Sequence, residues 1–81
     1  MTINAYVWYD SKAQNYSAPM FLVNDDVAIR QFDMACQDIH TEMGYAPEDF
    51  TLFKIGEFDT KSCQLMPLPG LEFIIKGDSF I

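Results

Sequence analysis

The sequence predicts an α+β domain: a small antiparallel sheet of four or five strands with one helix packed on one face, in the order β-β-α-β-β. Three observations predict it. Two runs, Ile3–Tyr9 and Phe50–Phe58, are rich in β-branched and aromatic residues, which suit a pleated surface. Between them, Ala28, Ile29, Phe32, Ala35, Cys36 and Ile39 recur at steps of three and four, one apolar helical stripe. Polar, turn-forming clusters separate these segments.

The first strand alternates Ile3, Ala5, Val7 and Tyr9 with Asn4, Tyr6 and Trp8. Asp10–Asn15 is turn-like, and a second strand at about Met20–Val23 is near enough to form an antiparallel hairpin. Asn24 suits a helix N-cap, because its side chain can accept from a free amide. Asp25 and Asp26 then favour the positive end of the helix dipole. The helix is expected from Asp25 to near Ile39 or His40, with Arg30, Gln31, Asp33, Gln37 and Asp38 on the wet side. His40–Asp49 reads as a loop. Phe50–Phe58 is the third strand, and Gly56 inside it marks a bulge or a close backbone approach. After the turn Asp59–Ser62, Cys63–Met66 starts a returning strand that Pro67 and Pro69 end or confine to an edge. Leu71–Lys76 offers a final short strand. Residues 77–81 read as a flexible or docking tail.

Eighty-one residues suffice for a single domain, and 49% hydrophobic residues supply a core. A chain this short folds with a narrow margin, so a homo-oligomer, dimer or higher, is expected. Net charge is −7, with twelve acidic residues against five basic ones, and Lys12, Arg30, Lys54, Lys61 and Lys76 stand singly. That disfavours unassisted binding to polyanions. Two cysteines are too few for the disulfide framework of a small secreted domain. Neither a signal peptide nor an apolar run of the roughly 20 residues that span a bilayer is recognisable, so a reducing cytoplasm and no membrane contact are expected.

No catalytic constellation stands out, and the chain is expected not to be an enzyme and to need no cofactor. Cys36 and His40 are four residues apart, with Cys63 or Glu42 as further ligands, but the spacing matches no strong zinc pattern. A buried Cys36 and a His40 at a frayed helix end explain them better. The serines lie in turns rather than a nucleophile elbow, and the four glycines stand alone rather than in a phosphate-cradling loop. Asp25, Asp26, Glu48, Asp49, Glu57 and Asp59 lack the regular spacing of a calcium loop.

The aromatics are the most informative group. One helix covers one sheet face, which leaves a row of rings open unless a partner or the tail covers it. Tyr6, Trp8 and Phe53 are the expected surface aromatics, with Phe53 and Ile55 opposite Leu52 and Phe58. Arg30 and Lys54 are the expected phosphate partners. Such a row suits first a protein interface; coverage of both faces within one monomer comes next, and stacking of single-stranded bases third, because the net charge of −7 opposes it.

Phe21–Phe32 (FLVNDDVAIRQF), followed by Ala35-Cys36, and Glu48–Asp59 (EDFTLFKIGEFD), with Tyr9–Ala13 upstream, resemble the signatures of a small non-structural protein family. That family belongs to gokushoviruses, single-stranded DNA phages of the Microviridae. The resemblance spans most of Tyr6–Asp59. It implies a non-structural accessory protein in viral single-stranded DNA replication, acting in the host bacterial cytoplasm through protein contacts and contacts with single-stranded DNA. Its partners would be the viral strand or a phage or host replication protein. The alternative is an acidic adaptor or inhibitor that binds a host protein without touching nucleic acid. The family offers no catalytic motif to transfer.

Overall fold

The structure, a computed structural model, describes residues 1–80. The elements run β1 (Thr2–Asp10), β2 (Asn15–Tyr16), β3 (Met20–Leu22), α1 (Asp25–Gln37), α2 (Glu42–Tyr45), β4 (Phe50–Asp59) and β5 (Gln64–Lys76). Short 3-10 turns cover Pro47–Asp49 and Gly77–Phe80. All pairings are antiparallel. β2 and β3 share one edge of β1, β4 lies on its other edge, and β5 closes the sheet. This is the expected α+β fold, a curled sheet of five strands with one main helix on one face.

The helix forms where its stripe and cap dictate. The Asn24 side chain accepts from the Val27 amide at 2.9 Å, and Asp25 and Asp26 occupy the first turn. Ala28, Phe32 and Cys36 are its buried positions. They pack on Tyr6 and Leu52 from β1 and β4, with Met43 and Phe50 completing the cluster. The helix stops at Gln37, short of the expected Ile39 or His40. Polar side chains capture the backbone there: Asp38 Oδ1 accepts from the His40 amide at 3.0 Å, and Thr41 Oγ1 donates to the Asp38 carbonyl at 2.8 Å. Thr41 also accepts from the Gly44 amide and so starts α2 inside what reads as loop in the sequence. The tail folds back too, since Phe80 packs edge-on to Phe32 with centroids 5.9 Å apart. Ile81 lies outside the described residues.

Three irregularities shape the sheet; one leaves Ile74 as an extra residue of β5, between the pairs Leu52–Ile75 and Phe53–Phe73, and the other two adjoin Gly56. In the β1–β4 ladder, Ala5 pairs with Gly56 and Tyr6 with Lys54, so Ile55 is an extra residue and the alternation of β4 restarts there. Such a bulge rephases which side chains share a face. In the β4–β5 ladder, Gly56 pairs with Pro67 and Lys54 with Glu72, so Leu68–Leu71 bow out of the pairing. β5 is therefore one long edge strand rather than two short ones. Pro67, Pro69 and its bulges blunt that edge against pairing with another chain.

Gly56 sits where these last two irregularities meet. A Cβ there would lie 2.8 Å from the Met66 carbonyl oxygen, whereas one on Gly70 would meet nothing within 4 Å. Gly56→Ala is expected to cost roughly 1–3 kcal/mol through backbone displacement. Gly70→Ala is expected to stay within about 0.5 kcal/mol of the parent. Urea unfolding of the two variants measures both.

Candidate functional site

The two faces of the sheet differ in what covers them. Asn4, Tyr6 and Trp8 point toward α1, together with Leu52 and Lys54. Ile3, Ala5, Val7 and Tyr9 point the other way, where no helix lies. Ala5 and Val7 are buried, yet they stand outside the helix-side cluster because rings of the open face roof them.

Those rings form a continuous row. Tyr9 and Tyr16, directly paired across β1 and β2, have centroids 4.6 Å apart. Tyr16 reaches Phe53 at 6.4 Å, and Phe53 reaches its β5 partner Phe73 at 6.2 Å. A second pair, Phe21 and Phe58 at 5.6 Å, continues the patch toward the other end of β1. Tyr16 is 49% exposed, Phe21 45% and Phe73 61%. The strand pairings also place Thr51, Leu65, Pro67 and Lys76 on this face, and no paired position of it holds a carboxylate. Lys76 is its cation, with Nζ 3.8 Å from Asp78 in the following turn. In a chain of net charge −7, a face whose paired positions lack acids is the notable asymmetry.

The five nominated residues do not converge. Phe53 lies in the open row. Tyr6, expected at the surface, is fully buried on the helix side. Trp8 is half-buried there, its ring 6.1 Å from that of Phe32. The pattern put Tyr6 and Trp8 on one face correctly, but the helix chose that face, because Tyr6 fills the space opposite Ala28 and Phe32. Phe58 shares the open face with Phe53, contrary to expectation, because the Ile55 bulge shifts the alternation. Lys54 follows Phe53 in sequence and therefore points to the opposite side, where its Nζ is 3.7 Å from Glu57. Arg30 is exposed on α1, across the sheet from the rings. Sequence reading missed Tyr16, Phe21, Phe73 and Lys76. Tyr9 in the Ile3–Val7 row was the available signal. Tyr16 was hidden by a two-residue strand beside a polar turn.

On the covered face, the Tyr6 hydroxyl donates to Asp25 Oδ1 at 2.5 Å and accepts from Asn4 Nδ2 at 3.0 Å. Sheet and helix start are latched by this bond. Burial, then the bond to Asp25, raises the Tyr6 hydroxyl well above its ordinary value. Burial pushes the Cys36 thiol up to about 11, with the Asp33 charge contributing. Cys36 is buried, whereas His40 and Cys63 are exposed. Among the described residues, no three His, Cys, Asp or Glu side chains are grouped to hold a metal ion. No helix among the described residues is long and apolar enough to cross a membrane.

Both raised groups are neutral in the folded chain, and each ionises more readily when unfolded. Their stabilising contributions are complete below the unfolded values and fade as pH rises past them, from about 8.5 for the thiol and about 10 for the phenol. Denaturation midpoints should hold near neutrality and fall in alkali, and Tyr6→Phe should flatten the part above about pH 10. A thiol-reactive dye at pH 8 should label Cys63 rapidly and Cys36 only on unfolding.

The comparison with curated proteins found no match, and neither did the comparison with solved structures. A family described as Phage ORF5 protein matches residues 3–80, a span that includes every strand and helix named above except the first residue of β1. A match over almost the whole chain settles membership: this chain belongs to the Phage ORF5 protein family.

Proposed function

We propose that this phage protein is a non-enzymatic accessory factor of viral single-stranded DNA replication, and that the open aromatic face is its contact surface for the strand. The row Tyr9–Tyr16–Phe53–Phe73, on a face with no carboxylate at its paired positions, carries the reading. Bases stack on aromatic rings whatever their identity, so such a row binds without reading sequence. The acids that repel phosphate lie on the helix side and in the turns, and Lys76 stands on the open side. The family match and the resemblance to gokushovirus non-structural proteins favour this setting, in the host bacterial cytoplasm.

A second copy of the chain is the competing occupant, because a face of exposed rings also suits self-association into a homo-oligomer. Edge pairing is a poorer route, given the prolines and bulges of β5. Titration of a labelled oligothymidine at low salt, followed by anisotropy, separates the two occupants. Strand contact predicts affinity that falls with salt and a loss of about 1–3 kcal/mol in Phe73→Ala or Tyr16→Ala. Trp8→Ala should act only through stability, since Trp8 lies under the helix. No anisotropy change at low salt, together with a dimer by light scattering that Phe73→Lys dissolves, would replace the strand by a second copy.

A further inference from the structure

A cleft of about 670 Å³ opens at the end of the sheet away from the Phe21–Phe58 pair, where the β1–β2 turn faces the segment that follows α1. Asp10 and Lys12 line it from the turn, and Ile39, Glu42, Tyr45 and Asp49 from the segment. The open-face reading does not use it.

Its rim is apolar where a solvated loop has no need to be. Tyr45 is 88% and Ile39 77% exposed, more than any other large hydrophobic side chain among the described residues. Ordering an exposed tyrosine and isoleucine around a concavity gains little for a lone chain, whereas tyrosines anchor interfaces disproportionately. Its charge is one-sided. Asp10, Glu42 and Asp49 face it against Lys12 and the imidazole of His40, and none of the three carboxylates is in an ion pair among the described residues. The span 38–49 holds Asp38, Glu42, Glu48 and Asp49 and no lysine or arginine.

The walls are also held in place. Asp10 Oδ1 accepts from the amides of Lys12 at 2.9 Å and Ala13 at 3.2 Å, which fixes the turn. Ser11 donates its amide to the Asp49 carbonyl at 2.9 Å, tying the turn to the far wall. Gly44 lies against the Asp38 carbonyl with no room for a Cβ, so α2 is clamped to the end of α1. A cleft held this way loses little freedom on filling.

We infer that this cleft docks a basic peptide segment of a partner protein, with an aliphatic or aromatic side chain seated between Ile39 and Tyr45 and Lys or Arg side chains turned to Asp10, Glu42 and Asp49. Charge selects the occupant. Nucleic acid would meet three carboxylates. A second copy of the chain offers no basic run, because Lys12, Arg30, Lys54, Lys61 and Lys76 stand singly. A cationic peptide satisfies the rim and the acids together. With the open face free for a strand, the chain would join two ligands through separate surfaces.

The test uses the full chain and a fluorescein-labelled heptapeptide of alternating lysine and leucine with a central tryptophan, beside the same peptide with glutamate for lysine. The lysine probe should bind with an affinity that salt weakens, and its amide chemical-shift changes should gather at residues 10–13 and 39–50. Tyr45→Ala should weaken it about tenfold, and Glu42→Lys with Asp49→Lys by as much or more. Glu72→Lys, a charge change outside the cleft, and Phe73→Ala, on the open face, should leave it unchanged. All substituted side chains are at least partly exposed, and circular dichroism confirms that each variant folds. Equal binding of the glutamate probe, indifference to Tyr45→Ala, equal weakening by Glu72→Lys, or shifts centred on the aromatic row would each overturn the assignment.

Discussion

One helix of thirteen residues can lie across only one side of a sheet, and the arrangement of this chain follows from that geometry. Ala28, Phe32 and Cys36 descend the inner face of α1 and meet Tyr6 and Leu52, which removes all five from water. A buried Phe at the centre of such a contact contributes a few kcal/mol through area and close packing. The same contact sets the orientation of everything else. Once Tyr6 turns inward, Val7 and Tyr9 must follow the pleat outward, and Phe53 and Phe73 go with them by cross-strand pairing.

The open side is not bare in the energetic sense. Its rings cover Ala5 and Val7 and pack edge to face, so part of their area is withdrawn from water without a second layer. This explains how a small chain tolerates so many rings on one side. Their outer surfaces remain available, and the acids are sorted elsewhere. Segregating charge in this way costs nothing in the core, since Asp and Glu sit in caps, in turns, on the outer face of the helix and, as Glu57 and Glu72, at helix-side positions of β4 and β5. The result is two unlike exteriors on one small body: a neutral aromatic sheet face, and an acidic end with an apolar-rimmed cleft.

Polar side chains do most of the local shaping. Asn24 starts α1, Asp38 and Thr41 end it, and Thr41 begins α2. Asp10 and Asp59 build the two hairpin turns by accepting amides two residues on, at Lys12 and Lys61. The Tyr6–Asp25 bond then joins a strand to the helix start, so the carboxylate that complements the dipole also fixes the docking angle. Several of the residues that mark the family resemblance, among them Asn24, Asp25, Gly56 and Asp59, have such structural duties.

The sequence by itself determined β1, β3, α1 and β4, their order along the chain and the single helical layer, because periodicity, caps and turn residues act over a few neighbours. It also led to the expectation of an aromatic row on the face the helix leaves open, unless a partner or the tail covers it. Which row that is was decided only by tertiary structure. Both faces of β1 and β4 carry large apolar side chains, so alternation alone cannot say which side the helix takes. The extra residue at Ile55 then reverses the phase of β4 and moves Phe58 to the face of Phe53. The two-residue β2 escapes any pattern, yet its pairing with β1 places Tyr16 in the row. A pleat repeats locally, but its phase across strands is set by long-range pairing, and that is why the order of the main elements along the chain was legible in the residues while the composition of the open face was not.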